Sequence, residues 1–229
     1  MRAPALAFLL TASLCASVSA SEPAQPAPPE HVVDYVLVFL RLSPDAPYLN
    51  AAEGEKVQAA HMANIKRLYD EGHLVAAGPF TDDTALRGIL VLKTASRSEA
   101  QQWLDSDPAV KAGRLIGDLH PFAAPAGTFR APKDAKVDME TYSMIVLSDH
   151  FRRDRAPVEA EGAYLDRLRA SGKLALAALF SDGELGGVLV LTVPADEAQK
   201  IALENPLVAR GYMTAEVHPW ISQRGVLVK

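Results

Sequence analysis

Four stretches of this chain are apolar without alternation: Val36-Leu37-Val38-Phe39-Leu40, Ile89-Leu90-Val91-Leu92, Met144-Ile145-Val146-Leu147 and Val188-Leu189-Val190-Leu191. Strand side chains point to opposite faces in turn, so a sheet with one wet face reads as apolar-polar alternation. Unbroken runs predict strands covered on both faces. Between the first two runs, Val57, His61, Ile65 and Leu68 recur at steps of four, four and three, one face of a helix over residues 55–71. Gly72 stands where a left-handed residue ends such a helix. Strands are predicted over 35–41, 74–80, 88–94 and 115–122. Ser96-Arg97-Ser98-Glu99 predicts a capping box that opens a second helix ending near Asp107-Pro108. The order is β-α-β-β-α-β, a ferredoxin-like unit.

The pattern then repeats. Arg67-Leu68 and Gly72 return as Arg167-Leu168 and Gly172, and Gly88-Ile89-Leu90-Val91-Leu92 as Gly187-Val188-Leu189-Val190-Leu191. Glu99-Ala100-Gln101, Asp107-Pro108, Gly113 and His120-Pro121-Phe122 return as Glu197-Ala198-Gln199, Asn205-Pro206, Gly211 and His218-Pro219-Trp220. The landmarks keep their order while the offset drifts only from 100 to 98 residues, which reads as an internal duplication. The second unit is predicted as strand 142–148, helix 157–171, strands 174–180 and 187–193, helix 195–204 and strand 212–220. Two helices cover one face of each sheet, and the sister sheet is the obvious cover for the other. The expected fold class is therefore α+β: two βαββαβ units packed sheet to sheet as an intramolecular α+β barrel, a pseudo-dimer. Two separate units on a linker are the alternative.

Residues 1–20 stand apart. One basic residue (Arg2), an apolar stretch over 5–14 and the small-residue exit Val18-Ser19-Ala20 have the layout of a secretory signal peptide cleaved after Ala20. A buried N-terminal helix is one alternative. A lipoprotein anchored through Cys15 is another, against which Leu14 stands where a small residue is wanted. Residues 21–33 form a Pro-rich tether and 123–141 a linker, leaving units at 34–122 and 142–221. The expected location is periplasmic or secreted.

Composition narrows the chemistry. Cys15 is the only cysteine, so the cleaved chain has no disulfide, thiolate nucleophile or Cys-metal site. The formal charge of −5 becomes −6 once Arg2 is removed, and no Lys/Arg-rich run appears. A nucleic-acid partner is not expected, nor a membrane partner after cleavage. No spacing of histidines suggests a metal site, and no cofactor is expected.

His61 is the one ionisable residue on the apolar face of the first helix. From His61 to Glu71 the helix descends ~15 Å at 1.5 Å per residue. The next strand climbs back at ~3.3 Å per residue and reaches that height near Gly78 or Pro79. Gly78 has no side chain, which would leave space beside an imidazole, and Asp82 lies just past the strand. A histidine held by a carboxylate in a half-buried cleft is a proton-transfer device. The second unit has Glu161 for His61 and Ala178-Leu179 for Gly78-Pro79, while Asp182 stands opposite Asp82. The competing reading is a core histidine satisfied by hydrogen bonds. Arg41 and Asp45, past the first strand, read as anion-binding or simply solvated. His120 and His218 read as structural turn residues, Trp103 as core, and His31, His73 and His150 as solvated.

Residues 35–122 resemble the YciI (YCII-related) family. The resemblance lies in the Tyr-Val-Leu-Val strand, His61 within HMANIKRLYDEGHLVAAGPF, Gly78-Pro79-Phe80, Gly88, Glu99-Ala100, Trp103, Asp107-Pro108 and Gly113. It covers the first unit and extends more weakly to the second. The resemblance implies paired ferredoxin-like units and a His–Asp active-site pair. That pair carries over onto His61 and onto Asp82, with Asp83 adjacent. Relatives acting on small cyclic or aromatic compounds imply a cofactor-free isomerase or lyase, with His61 and Asp82 catalytic and Gly78, Pro79, Asp83 and Arg41 toward the substrate. The alternative is a periplasmic small-molecule-binding or scaffolding module without catalysis, since the second unit keeps the pattern after losing the histidine.

Overall fold

The computed structural model describes residues 31–130, 138–149, 158–180 and 185–227. The predicted leader, most of the tether, residues 131–137 of the linker and Asp182 lie outside the described residues. The first unit runs β1 (Val32–Leu42), α1 (Ala51–Asp70), β2 (Leu74–Pro79), β3 (Leu86–Leu92), α2 (Arg97–Asp105), α3 (Pro108–Lys111) and β4 (Leu115–Pro125). The second repeats it as β5 (Met139–Asp149), α4 (Val158–Ala170), β6 (Leu174–Leu179), β7 (Leu185–Leu191), α5 (Ala195–Glu204), α6 (Pro206–Ala209) and β8 (Met213–Gln223). The two antiparallel sheets have the same order, β2-β3-β1-β4 and β6-β7-β5-β8.

Local chemistry sets the helix ends. Asn50 caps α1: its Oδ1 accepts from Glu53 N at 3.0 Å while Glu53 Oε2 accepts from Asn50 N at 3.0 Å. This reciprocal box starts α1 four residues earlier than its apolar stripe suggests. Gly72 at φ 76° closes the helix, with Gly72 N donating to Tyr69 O and His73 N to Leu68 O. At α2 only half of the expected box forms. Ser96 Oγ accepts from Glu99 N, but the Glu99 carboxylate accepts from Thr94 Oγ1 instead. The helix also stops short of Asp107, which caps the separate turn α3.

The unbroken apolar runs resolve into two faces. Val36, Val38 and Leu40 join Leu68, Leu90, Leu92, Ala100 and Leu104 beneath the first unit's helices. Tyr35, Leu37 and Phe39 face the other way, into a core shared with Met144, Val146, Val188, Val190 and Trp220 of the second unit. Ile145, Leu147, Leu189 and Leu191 line the layer beneath α4 and α5. The sheets are therefore packed face to face as an intramolecular α+β barrel.

The barrel closes tightly where β2 meets β8. Trp220 Nε1 donates to Gly78 O at 3.2 Å, Ser222 Oγ to Ala77 O at 2.9 Å, and Thr81 N to Pro219 O at 3.1 Å. A Cβ on Gly78 would stand 1.8 Å from the Ile221 carbonyl oxygen. The space expected beside Gly78 is thus occupied by backbone of the second unit.

Candidate functional site

α1 turns His61, Asn64 and Leu68 toward the protein. Leu68 enters the apolar layer, while His61 and Asn64 meet the start of α3. There Asp107, 1% exposed, performs three tasks at once. Its Oδ1 accepts from Ala109 N at 2.8 Å as the cap of α3. Its carboxylate receives His61 Nδ1 at 2.8 Å on Oδ2 and 3.0 Å on Oδ1. Asn64 Nδ2 donates to Oδ2 at 3.1 Å. Asn64 is itself held, because Arg67 Nη2 donates to its Oδ1 at 2.9 Å and Ser106 Oγ lies 3.3 Å from the same oxygen.

Burial pushes the Asp107 carboxyl up, but the His61 hydrogen bond and charge, the Ala109 N–H and the Asn64 amide together hold it below the ordinary aspartate value. An ionised carboxylate only accepts, so Nδ1 of a neutral His61 must carry the proton. Nε2 is then the basic nitrogen. No described residue hydrogen-bonds Nε2, and it is not sealed from solvent. A carboxylate behind Nδ1 and an open Nε2 suit general base and acid work.

The expected partner is elsewhere. Asp82 does not meet His61; its Oδ2 lies 2.5 Å from Nδ1 of His218, on β8 of the second unit. Two features of the barrel separate Asp82 from His61. Gly78 has the same strand parity as Ala76 and Phe80, which face the inter-sheet core, whereas His61 lies on the helical side of the same sheet. The β2–β8 seam then draws the loop after Phe80 toward the second unit, through the Phe80–Trp220 bridge. Rise per residue along helix and strand says nothing of the face, and here the faces differ. Pro79 and Asp83 are exposed, and neither hydrogen-bonds His61. Arg41 pairs with Asp118 at 3.7 Å, both about half exposed. An open depression of about 410 Å³, lined by Thr141, Ser143, Thr192 and Pro194 among others, includes none of the expected residues.

Three aromatic expectations also change. His120 and His218 lie within β4 and β8, not in turns, and both are 4% exposed in the inter-sheet core. His120 stacks on Phe180 at 4.7 Å. Trp103 is half-buried at the edge of the helical layer, and its ring stacks on His73 at 4.2 Å.

In the sequence Asp107 stood as a helix-end signal, a landmark of the repeat and part of the family resemblance, but not as a partner for His61. The usable clue was in the second unit, where Asn205 replaces Asp107 at the same place that Glu161 replaces His61. The structure keeps the geometry: Asn205 Nδ2 donates to Glu161 Oε1 at 3.0 Å, and Asn205 Oδ1 accepts from Leu207 N at 2.9 Å. Glu161 is 5% exposed, and its Oε2 has no hydrogen-bond partner among the described residues. Burial pushes its carboxyl up, and the Asn205 hydrogen bond offsets only part of this.

Comparison with known proteins agrees with this architecture. The chain is 37% identical to Protein YciI of Escherichia coli O6:H1 over 65 residues, and the same identity is found with Protein YciI of Shigella flexneri. The match spans 66% of the length of those relatives and 25% of this chain. Among solved structures, a chlorite dismutase from Candidatus Nitrospira defluvii superposes with a TM-score of 0.56 at 10% identity, covering 83% of this chain and 91% of that one. A heme-binding protein from Thermus thermophilus superposes at 0.52 and 13% identity, covering 85% and 93%. At such identities these two likenesses concern the fold alone, and they span both units. Residues 37–116, which carry His61 and Asp107 and make up most of the first unit, match the YCII-related domain family.

Proposed function

We propose that the protein converts a small, cyclic or aromatic molecule by cofactor-free acid–base chemistry, as an isomerase or lyase, with His61 and Asp107 as the working pair. One observation carries this reading: a buried, ionised carboxylate behind Nδ1 of an imidazole whose Nε2 stays open. His61 Nε2 removes a proton from the substrate and returns it at a second position or to a departing group. Asp107 holds the ring and stabilises the imidazolium formed in between. Heme binding and dismutase activity belong to the structural neighbours as named. A small-molecule ligand for this chain is what the reading shares with them.

The test begins with a thermal-shift screen of small cyclic compounds on the protein lacking residues 1–20, since a bound ligand raises stability by mass action. His61→Gln is then expected to keep binding and lose turnover by ~10²–10⁴-fold, the usual contribution of a positioned acid–base group. Turnover that survives this substitution would overturn the assignment.

A non-catalytic module is the second reading, favoured by the Glu161–Asn205 contact. The second unit makes the same helix-to-turn tie, from α4 to the cap of α6, without an imidazole. On that reading His61→Gln preserves ligand binding and no turnover exists to lose.

Export is part of the proposal. Cleavage after Ala20 places the chemistry outside the cytoplasm, with units 34–122 and 142–221 in the mature chain. The mature N-terminus is expected at Ser21, read by intact mass of the exported protein. Residues 1–20 retained in the folded protein would overturn it.

A further inference from the structure

His61 is defined by its carboxylate partner, but that partner has neighbours of its own. Asp107 uses Oδ1 to cap α3, and this one contact leaves the carboxylate free to swing about its own χ angles. Asn64 Nδ2 removes the freedom by donating to Oδ2, the oxygen closest to His61 Nδ1. The Asn64 amide cannot turn over, because Arg67 Nη2 donates to its oxygen at 2.9 Å. Arg67 is anchored at its other nitrogen by Glu71 Oε2 at 2.6 Å. A chain of directed contacts thus runs Glu71–Arg67–Asn64–Asp107–His61, from a surface ion pair to the imidazole.

The second unit shows what accompanies its absence. The residue at the Asn64 position is Tyr164, whose hydroxyl donates to Ile201 O and makes no contact with Asn205. Arg167 is kept, but its guanidinium lies over the Tyr164 ring at 5.9 Å. The histidine, the aspartate and the amide between them are all replaced, although the fold is not.

We propose that Asn64, locked by Arg67, is a positioning residue that holds the Asp107 carboxylate against Nδ1 of His61, so that the imidazole presents an unprotonated Nε2 to substrate. This rests on His61 being the acid–base group, as argued above, but it acts on the resting protein and is read without substrate. A carboxylate held on both oxygens selects one tautomer, whereas one free to rotate lets the proton reside on either nitrogen.

Histidine ¹⁵N shifts in the labelled full chain, with the His61 signals assigned from His61→Gln, read the tautomer directly. At alkaline pH the wild type is expected to show His61 as a single Nδ1–H tautomer, with that proton shifted downfield by its carboxylate. Asn64→Leu removes donor and acceptor at similar volume. The expected result is a mixed-tautomer signal and loss of the downfield proton through exchange. Should that variant not fold, Arg67→Met replaces a side chain that is 45% exposed, releases the Asn64 oxygen, and is expected to give the same change in smaller degree. An amide serving only stability would lower the melting temperature and leave the His61 shifts of the folded protein unmoved. Unmoved shifts in folded Asn64→Leu, or in Arg67→Met if the first does not fold, overturn the proposal. A single tautomer in the wild type with no turnover on any compound would instead count against the acid–base reading and leave the role of Asn64 intact.

Discussion

Adding one carbon at Gly78 tests how the two units meet. The new Cβ would stand 1.8 Å from the Ile221 carbonyl oxygen, 2.9 Å from its carbon and 3.0 Å from Trp220 Nε1. The nearest obstacle is backbone, so no rotamer change relieves it, and β2 and β8 must part by about 1.5 Å to restore ordinary contact. That movement breaks the bonds from Trp220 Nε1 to Gly78 O and from Ser222 Oγ to Ala77 O, stranding donors on residues only 1% exposed. Overpacking costs about 1–3 kcal/mol and each of the two stranded buried donors about as much again, so Gly78→Ala should destabilise by roughly 3–9 kcal/mol. Native stabilities lie at about 5–15 kcal/mol, so the variant should melt roughly 10 °C or more below wild type, if it folds at all. The control is Ala178, at the corresponding place in β6, which already carries a fully buried Cβ. Ala178→Gly should cost only about 1 kcal/mol, mostly chain entropy. Denaturant unfolding of both variants decides the matter. A Gly78→Ala protein within about 1 kcal/mol of wild type would mean that the seam has room, and the tight closure described here would be wrong.

Other consequences follow from the buried polar groups. Asp107 is held below its ordinary value when folded, so it contributes stability above the unfolded aspartate value and loses it as pH falls through the lowered one. Asp107→Asn should therefore flatten the acid limb of the stability curve, and an unchanged limb would count against an ionised Asp107. Glu161 has the opposite sign: the fold favours its protonated form, so stability declines as pH rises above the unfolded glutamate value toward the raised one. Glu161→Gln should remove that decline while keeping the Asn205 contact, as read by melting temperature against pH. Asp82 and His218 join the units across the barrel, and a double-mutant cycle with Asp82→Asn and His218→Gln should give a coupling of about 1.5–3 kcal/mol. Additive effects would show that the pair does not bind the units together.

The choice of Asp82 as partner for His61 shows where one-dimensional reasoning loses its grip. Counting rise per residue along helix and strand compares heights alone. It carries no information about which side of the sheet a loop leaves by, and β2 leaves toward β8. The second unit held the correction. Asp182 stands opposite Asp82 although the histidine is gone, whereas the Asp107 position changes to Asn205 together with His61 to Glu161. Residues that change together across a repeat are better candidates for contact than residues that are merely close in sequence.

Periodicity and helix-end signals determined the strands and long helices, their order, their repetition and the covering of both faces of each sheet, though not the short helices α3 and α6. These follow from local geometry: side chains alternate along a strand, and a continuous apolar run must therefore be buried twice. Only the tertiary structure decided which groups share a proton. Asp107 is 46 residues from His61 and Asp82 is 136 from His218, separations bridged by sheet packing and helix docking that leave no spacing signature in the chain. The barrel seam selects the second pair, and the docking of α1 against the first turn of α3 selects the first.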